Sequence, residues 1–444
     1  MKQLFFVLSV MLMCFSTQAQ SKIWSLEQCI QHAFEHNLNL EISKLNLKTN
    51  DLEIKKARLA YLPTLNGQVS DNLNFGRSKD GFTNTITTFT QNSLNVGVST
   101  SVTLFQANRL NNTLRLAEKT QESERWTIEK LKNDLALTIA NAYLQVLFSK
   151  ENYETASELL KLTEIQKDRM NIRVENELEP QSKLLEIEAQ FYTDQQAKET
   201  AFYTLQNARL NLFQLLDIQN YESQDIEDPS LEIPQKLEQF DRDKLVEKAK
   251  QHLPEFKKME VDAEISKLNT ELTKASGIPS LTASGSVGTS AFSILNNDGV
   301  PKPAYPTQFE DNLAESIGLS LNIPIFNGMQ TKIETQKALI RERNLEINQK
   351  NTANQTFKAI QSAMFDAQSA FYTYESAVKA YNSSLDVFKN AEERYALDVM
   401  NLYDFQQVKN TLFASQSRVV RSKYDYIFKT LILKFYRGEA LTLN

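Results

Sequence analysis

Two histidines stand one helical turn apart, and their side chains could bind a metal. His32 and His36 are four residues apart, so a helix would present both imidazoles on one face. No third ligand follows nearby, and the intervening Ala33-Phe34-Glu35 does not form the zinc-protease pattern. With His252 these are the only histidines of the chain. We therefore expect no bound metal.

Three glutamates form the other dense group of ionisable residues. Glu175, Glu177 and Glu179 lie just before Pro180. Such a cluster is typical of a solvated turn, and it also fits a surface on which a partner docks. The chain has no Gly-rich phosphate-binding loop and no nucleophile elbow. We therefore expect no cofactor and no catalytic residue, and predict that the chain is not an enzyme.

Residues 1–19 have the pattern of a secretory signal peptide. Lys2 precedes a short apolar run from Leu4 to Phe15, and Thr17-Gln18-Ala19 fits a small-residue cleavage site. The run is shorter than the roughly 20 residues that a transmembrane helix needs. Cleavage would leave Cys29 as the single cysteine, so no intrachain disulfide is expected. A formal net charge of -6 argues against nucleic acid as a partner.

Glycine and proline, which break helices, are missing from long parts of the chain. None of the 11 glycines lies within residues 98–276, and residues 329–437 contain neither Gly nor Pro. Apolar residues recur there at helical spacing. One such run is Leu131, Leu135, Ile139, Ala142 and Val146. The pattern predicts helices of up to ~100 Å, at ~1.5 Å per residue, that pack as coiled coils.

Four other segments alternate between apolar residues and small polar ones. They lie at about residues 65–76, 92–105, 280–292 and 315–326. Each has about the 9–11 residues with which a tilted strand crosses a bilayer. One apolar and one polar face suit a barrel with lipid outside and water inside. A soluble antiparallel sheet would give the same alternation.

The chain contains an internal duplication. Leu62-Pro63-Thr64-Leu65 corresponds to Ile278-Pro279-Ser280-Leu281, and Val102-Thr103-Leu104-Phe105 corresponds to Ile323-Pro324-Ile325-Phe326. From the second pair onward the correspondence holds at an offset of 221 residues. We predict two structural repeats, at 20–228 and 229–444. Each contains, in this order, a helix, two strands, a long helix, a turn and a second long helix.

The predicted helices have the same order in each repeat. They lie at about 25–60, 106–173 and 180–217 in the first repeat and at about 241–276, 328–394 and 400–437 in the second. Four strands are too few to close a barrel of useful bore. The sheet must therefore keep open edges or be completed by strands of other copies.

With these segments in this order, the chain resembles the TolC-like outer-membrane efflux protein family over nearly the whole mature sequence. The segments that carry the resemblance are Trp24-Ser25-Leu26-Glu27-Gln28-Cys29-Ile30, Leu62-Pro63-Thr64-Leu65, Ile323-Pro324-Ile325-Phe326-Asn327-Gly328 and Ala391-Glu392-Glu393-Arg394-Tyr395. The resemblance implies a mixed α and β fold and a homotrimer. Long antiparallel coiled-coil helices would form a periplasmic α-barrel, and four strands per chain would contribute to a twelve-strand transmembrane β-barrel.

The same resemblance implies a function in the outer membrane of a Gram-negative bacterium. The chain would be the exit duct of a tripartite efflux or type I secretion system, a passive conduit from the periplasm to the outside. Its partners would be outer-membrane lipid, a periplasmic adaptor (membrane fusion) protein and an inner-membrane pump or ABC transporter. The alternative is a periplasmic or surface coiled-coil interaction protein without a pore.

By resemblance, the tips of the two helical hairpins, at about 173–184 and 394–405, would contact the adaptor. The contacting residues would be Arg173, Glu177, Leu178, Arg394, Tyr395, Asp398 and Val399. The sequence departs from the family pattern at both tips. A Gly usually stands four positions after the Arg, where this chain has Glu177 and Asp398.

The resemblance also assigns a gate, or pore constriction, to Asp404 and Gln407. Three copies of Asp404 around one axis would form a carboxylate ring, which favours cations. Gln407 stands where a second acid usually follows, and Lys183 replaces the corresponding Asp of the first tip. The plainer alternative is that Asp404 is a solvated helix residue.

Overall fold

The computed structural model describes residues 22–79, 82, 84–229, 233–234, 236–237, 240–295 and 304–443. The predicted signal peptide, residues 1–19, lies outside the described residues. The elements of the first half are β1 (Lys22–Trp24), α1 (Leu26–His36), α2 (Leu38–Leu59), β2 (Thr64–Lys79), β3 (Ile86–Phe105), α3 (Arg109–Glu175), α4 (Gln181–Leu215) and β4 (Gln224–Ile226). Those of the second half are α5 (Arg242–His252), α6 (Pro254–Ala275), β5 (Ser280–Ile294), α7 (Tyr305–Asp311), β6 (Ala314–Asn322), α8 (Gln330–Ala396) and α9 (Leu402–Tyr436).

The chain divides into two compact units, each built from several stretches of sequence. The helical unit comprises Met1–Lys44, Trp126–Lys257 and Asn351–Asn444. The strand unit comprises Leu45–Arg125 and Lys258–Lys350. Each unit draws on both predicted repeats, so the repeat boundary at residue 228 stays a prediction.

The main core of the helical unit lies where α1, α3, α4 and α9 pack together. Its buried side chains include Cys29, Ile139, Leu212 and Leu431. A second apolar cluster joins α5, α8 and α9 through Leu245, Ile360 and Leu433. Burial of these apolar side chains stabilises helices whose surfaces are otherwise polar.

A short parallel pair of strands, β1 and β4, adjoins the main core. Tyr143 Oη on α3 donates to the Glu227 carbonyl at 2.7 Å and lies 3.1 Å from the Trp24 carbonyl. Trp24 Nε1 donates to Gln224 Oε1 at 2.8 Å. These bonds fix the first described residues of the chain to the helical unit.

The long helices recur with equal lengths. α3 and α8 have 67 residues each, and α4 and α9 have 35 residues each. Arg109 to Gln330 and Gln181 to Leu402 are both displacements of 221 residues, the offset at which the sequence repeats. Two different sequences therefore begin and end their helices at corresponding positions.

The helix predicted over 25–60 is two helices in the structure, α1 and α2. Asn37 separates them in an extended conformation with ψ 123°, and its side-chain oxygen accepts from the amides of Asn39 and Leu40. This side chain caps α2 and offers the backbone an alternative to helix. Leu253, which also has an extended backbone, separates α5 from α6. Here the cause is Pro254, which disfavours helical geometry in the residue before it.

The strand unit contains an antiparallel sheet with the order β2-β3-β5-β6. The register pairs Val69 with Val96, Val98 with Val287, and Ala283 with Leu319. Because side chains alternate along a strand, this register collects most of the apolar residues of the four strands on one face. Ser99, Ser286 and Ser316 share the other face. The apolar face is uncovered within the chain, since Ile317 is 95% exposed and Leu319 is 71% exposed.

The two outer strands, β2 and β6, differ in length. β2 has 16 residues and β6 has nine. β6 ends at Asn322, before the predicted residue 326, because Pro324 has no amide to donate to a ladder. In the described part of the chain, no helix is both long and apolar enough to cross a membrane.

Candidate functional site

The turn between α3 and α4 forms the first hairpin tip. Glu177 has a left-handed backbone with φ 59°. Its amide donates to the Val174 carbonyl at 2.9 Å, and the amide of Leu178 donates to the Arg173 carbonyl at 2.9 Å. This pair of bonds is the Schellman ending of a helix, in which Gly is the usual left-handed residue. The side chain of Leu178 is exposed.

The turn between α8 and α9 repeats this geometry at the second tip. Asp398 has φ 57°, and its amide donates to the Tyr395 carbonyl at 3.1 Å. The amide of Val399 donates to the Arg394 carbonyl at 2.9 Å, and the side chains of Val399 and Arg394 are exposed. The two departures from Gly that the sequence shows therefore fall on the residues that must be left-handed.

An ion pair joins the two tips. Arg173 Nη1 lies 3.1 Å from Asp398 Oδ1, and Arg173 Nη2 donates to Asp398 Oδ2 at 3.1 Å. The hydrogen bond from Arg173 lowers the pKa of the Asp398 carboxyl. Glu179 extends the group, because its carboxylate lies 3.4 Å from Arg173 Nη2 and 2.6 Å from Lys183 Nζ. Arg173 and Asp398 belong to separate tips in the sequence, and no sequence pattern predicted their contact.

Tyr395 anchors the second tip through an aromatic contact. Its ring stacks on that of Phe405, with centroids 4.6 Å apart and planes 9° apart. Phe405 is buried and also contacts Phe388, at 5.7 Å between centroids. Burial raises the pKa of the Tyr395 hydroxyl. Tyr395 therefore packs within the second hairpin and is partly buried.

Asp404 and Gln407 lie on the exposed side of the first turns of α9. Asn401 is the N-cap of α9: its side-chain oxygen accepts from the Asp404 amide at 2.8 Å, and its Nδ2 donates to Asp404 Oδ2 at 2.8 Å. Gln407 Nε2 donates to Tyr403 Oη at 3.3 Å. Leu402 and Phe405 are buried on the opposite side. The carboxylate that was predicted to line the pore thus accepts a hydrogen bond from the side chain that caps its own helix.

A cleft of about 1020 Å³ opens between the two hairpins beside the tips. Arg169, Arg173 and Lys183 bring positive charge to its wall, and Glu179 and Asp398 bring negative charge. Its apolar residues include Leu162, Ile165, Met170, Val399, Leu402 and Phe405. The cleft is an amphipathic groove at the end of the helical unit.

A buried charge pair, which no sequence pattern predicted, links the two hairpins farther along α9. Lys409 is fully buried, and its Nζ donates to Thr163 Oγ1 at 2.8 Å and lies 3.5 Å from Asp194 Oδ2. Gln190 Nε2 donates to Asp194 Oδ1 at 2.6 Å. Burial lowers the pKa of the Lys409 ammonium, and Asp194 opposes that shift. The group ties α9 of one hairpin to α3 and α4 of the other.

The histidine pair lies on α1, away from any such group of charges. The His32 and His36 rings are 4.2 Å apart between centroids, and His32 meets Trp24 edge-on at 5.1 Å. No set of three or more His, Cys, Asp or Glu residues in the described ranges is placed to hold a metal ion.

Two long helical hairpins, together with a four-stranded sheet that has one apolar face, are the elements of the class of outer-membrane channels. The chain matches the family described as outer membrane efflux protein over residues 29–217 and 245–436, and it belongs to this family. The predicted recognition, the mixed α and β fold class and the location in the outer membrane of a Gram-negative bacterium are thereby confirmed. Family membership favours the channel over a coiled-coil protein without a pore.

Solved structures share the fold at low sequence identity. A membrane protein from Pseudomonas aeruginosa is 16% identical with a TM-score of 0.77, covering 96% of this chain and 93% of its own. The outer membrane protein VceC from Vibrio cholerae is 17% identical with a TM-score of 0.74, covering 94% and 96%. The Neisseria gonorrhoeae MtrE outer membrane channel is 18% identical with a TM-score of 0.71, covering 97% and 94%.

One curated relative adds a link to secretion. The alkaline protease secretion protein AprF of Pseudomonas aeruginosa is 22% identical over 191 residues. The match covers 42% of this chain and 36% of AprF.

Proposed function

We propose that the chain is the outer-membrane exit duct of a tripartite efflux or type I secretion system. It acts as a passive conduit from the periplasm to the outside and catalyses no reaction. The observation that carries the proposal is the strand register, which gives one sheet an apolar face for lipid and a hydroxyl-rich face for water. Family membership supports the same function.

The duct is built by three copies. The sheet has four strands and leaves β2 and β6 at its edges. Unpaired edges are unstable in lipid, where every backbone amide and carbonyl needs a partner. Three copies joined edge to edge supply twelve strands, enough to close a barrel around an aqueous channel.

The hairpin tips are the docking surface for a periplasmic adaptor, which connects the duct to an inner-membrane pump or ABC transporter. Exposed Leu178 and Val399 supply apolar contact at the two tips. Glu177 and Arg394 supply charge beside them, and the cleft between the hairpins offers a groove for a partner helix. The relative AprF is named as a secretion protein, which supports a type I secretion system as one of the assemblies to which this duct could belong.

Asp404 forms the gate of the duct, with Gln407 one turn behind it. Both side chains are exposed in the single chain, on the face of α9 opposite its buried residues. Three carboxylates around a narrow axis attract cations and repel anions. The hydrogen bond that Asn401 Nδ2 donates to Asp404 orients each carboxylate.

Single-channel recording in planar bilayers tests the proposal. Asp404→Asn keeps an oxygen for the Asn401 bond and removes the charge, so it should reduce cation preference with little change in folding. Asp386→Asn, an exposed acid on α8, is the matched control and should leave selectivity unchanged. Absence of any conductance from the wild-type trimer would contradict the proposed function as an exit duct. Unchanged cation preference in Asp404→Asn would contradict only the assignment of the gate to Asp404.

A further inference from the structure

Two helices of equal length, α2 and α6, occupy corresponding places in the two repeats. Each has 22 residues. Their first residues, Leu38 and Pro254, are 216 positions apart, the displacement that also separates Leu62 from Ile278. The long helices α3 and α8 correspond at a displacement of 221. A contact made by one repeat can therefore be carried over to the other repeat, residue by residue.

In the strand unit, α2 and α6 each pack against the long helix of their own repeat in the same register. On α2, Asp51 accepts a hydrogen bond from Gln121 of α3. On α6, Thr270 donates to Glu342 of α8 at 3.3 Å. Glu342 is the counterpart of Gln121, and Thr270 lies one turn from Lys267, the counterpart of Asp51. The two contacts are therefore equivalent.

α6 makes a second contact, with the long helix α3 of the other repeat. Ser123 Oγ donates to Asp262 Oδ1 at 2.6 Å, and Asn112 Nδ2 donates to Glu271 Oε2 at 3.2 Å. Residue numbers rise along α6 as they fall along α3, so the two helices are antiparallel. This contact, which we call the internal joint, connects the two repeats within one copy.

An apolar stripe on α6 is buried at the internal joint. Val261, Leu268 and Ala275 are spaced seven residues apart, which is the repeat of a coiled-coil seam. Leu268 lies three residues from Glu271 and four from Glu264, and both glutamates pair with α3. Residues at this spacing share one face of a helix, so Leu268 faces α3. Its exposed fraction is only 4%.

The corresponding stripe on α2 is uncovered in the single chain. The counterparts of the buried residues are Leu45, Leu52 and Leu59, which we call the α2 stripe. All three are exposed, and the exposed fraction of Leu52 is 65%. α3 of the same copy does not cover the stripe, because it packs on the face of α2 that carries Asp51 and the buried Ile54.

α8 carries a matching uncovered stripe. Ile333, Ile340 and Ile347, which we call the α8 stripe, are also seven residues apart, and all three are exposed. Ile333 and Ile340 are the counterparts of Asn112 and Lys119, through which α3 contacts α6. The side of the internal joint that is polar on α3 is therefore apolar on α8.

We propose that the α2 stripe of one copy packs on the α8 stripe of a second copy, antiparallel and in the register of the internal joint. Carried over, that register places Leu52 between Ile333 and Ile340, and Asn46 opposite Asn344. Two apolar stripes with a seven-residue repeat fit one helix against another. The contact rests on the proposed trimer and gives it a helical joint equivalent to the one inside each copy, so that every α2 and α6 lies between two long helices.

Disulfide trapping tests the register. Asn46→Cys and Asn344→Cys are combined in a Cys29→Ala background, since their counterparts form a hydrogen bond in the internal joint. Oxidation should link copies and give dimers and trimers on a non-reducing gel. Asn46→Cys with Lys337→Cys is the matched control. Lys337 lies on the same face of α8 but seven residues away, about 10 Å along the helix, which is too far for a disulfide.

A second control and the native mass in detergent separate the possible outcomes. Ser123→Cys with Asp262→Cys should link within one copy and shows that oxidation is complete. A trimer that stays unlinked through Asn46→Cys and Asn344→Cys overturns this contact alone, because the α2 stripe then faces water or another partner. Equal linking through Lys337→Cys overturns the register. A monomer contradicts the proposed duct itself.

Truncation of the stripes gives an independent readout. Leu52→Ala and Ile340→Ala should each shorten the half-life of SDS-resistant trimers on heating by roughly tenfold. The double variant should lose less than the product of the two factors, because the side chains contact each other. Leu339→Ala, which truncates an exposed residue on another face of α8, is the matched control and should keep the wild-type half-life. Independent losses from Leu52→Ala and Ile340→Ala would contradict the proposed pairing.

Discussion

The guanidinium of Arg173 binds both carboxylate oxygens of Asp398, at 3.1 Å each, and so joins the tips of two hairpins that lie far apart in sequence. Asp398 is also the left-handed residue that ends α8. A Gly at this position would adopt the backbone more easily but could not hold Arg173. The departure from the family pattern therefore gives the second tip a contact that the usual residue cannot make.

Removal of this contact should loosen the tips. Asp398→Gly keeps the left-handed turn and removes the carboxylate, and Asp398→Asn keeps a side chain that tolerates the turn but has no charge. We expect trypsin to cleave faster after Arg173 and Lys183 in both variants. Asp386→Asn, on α8 away from the tip, should be cleaved like the wild type. Wild-type cleavage rates in both Asp398 variants would contradict a role for the pair in holding the tips.

The same pair predicts how the tips respond to pH. Arg173 lowers the pKa of Asp398 in the folded protein, so the pair stabilises the fold at every pH above the ordinary carboxyl pKa of about 3.9. That stabilisation is lost as the pH falls through the lowered pKa. Asp398 should therefore keep its charge from about pH 8 to pH 5, so it should cause no change in the open probability of the channel in bilayers over this range. A difference between wild type and Asp398→Asn that disappears within this range would contradict the prediction.

At the first tip, Gly should be better than the native residue. Glu177 holds φ 59°, a conformation that costs a residue with a Cβ atom about 1 kcal/mol. Glu177→Gly should stabilise the end of α3 by about this amount, which is roughly a fivefold increase in protection of the Leu178 amide from hydrogen exchange. Glu177→Ala removes the same carboxylate but keeps the Cβ atom, so it should give no gain. Equal protection in the Gly and Ala variants would show that the backbone is not strained.

The buried pair of Lys409 and Asp194 predicts a larger effect on stability. Lys409→Ala leaves the Asp194 carboxylate buried without its cation, which typically costs about 3–5 kcal/mol. The double variant Lys409→Met with Asp194→Leu removes both charges and should recover most of that loss. The free energy of unfolding, from guanidinium titration followed by circular dichroism, measures both. Equal losses in the single and double variants would mean that packing alone accounts for the effect.

The sequence predicted the parts of the fold that depend on local pattern. Strict alternation through Val96 and Val98 determines which side chains share a face, and the pairing of Val98 with Val287 brings the apolar faces of neighbouring strands together. The absence of Gly and Pro left the long helices uninterrupted, and their bounds follow the repeat from Arg109 to Gln330. The roles assigned to Asp404 and the tip residues stay predictions, because they depend on other copies and partners.

Contacts between distant segments could not be predicted in this way. A lysine on a polar helix normally faces water, and only the packing of α9 against α3 and α4 buries Lys409. The residue types at the left-handed positions gave no signal of their own, because Glu177 and Asp398 replace the Gly, and only the resemblance to the family pointed to these positions. Gln308 lies on a seven-residue helix, too short for a periodic pattern, and its side chain binds the amide and the carbonyl of Phe292 on β5.

A close approach of β3 and β5 gives the last prediction. Gly97 and Gly288 lie directly opposite each other, and a Cβ atom on Gly288 would stand 3.1 Å from the Val96 carbonyl oxygen and 3.4 Å from Gly97 Cα. Both neighbours are backbone atoms, so the strands themselves would have to move, and overpacking of this kind typically costs about 1–3 kcal/mol. Gly288→Ala should lower the yield of heat-modifiable protein in the outer membrane. Gly318→Ala is the control, because its Cβ atom would meet only Ser284 Oγ at 3.6 Å, and equal yields from the two variants would show that the sheet can absorb the change.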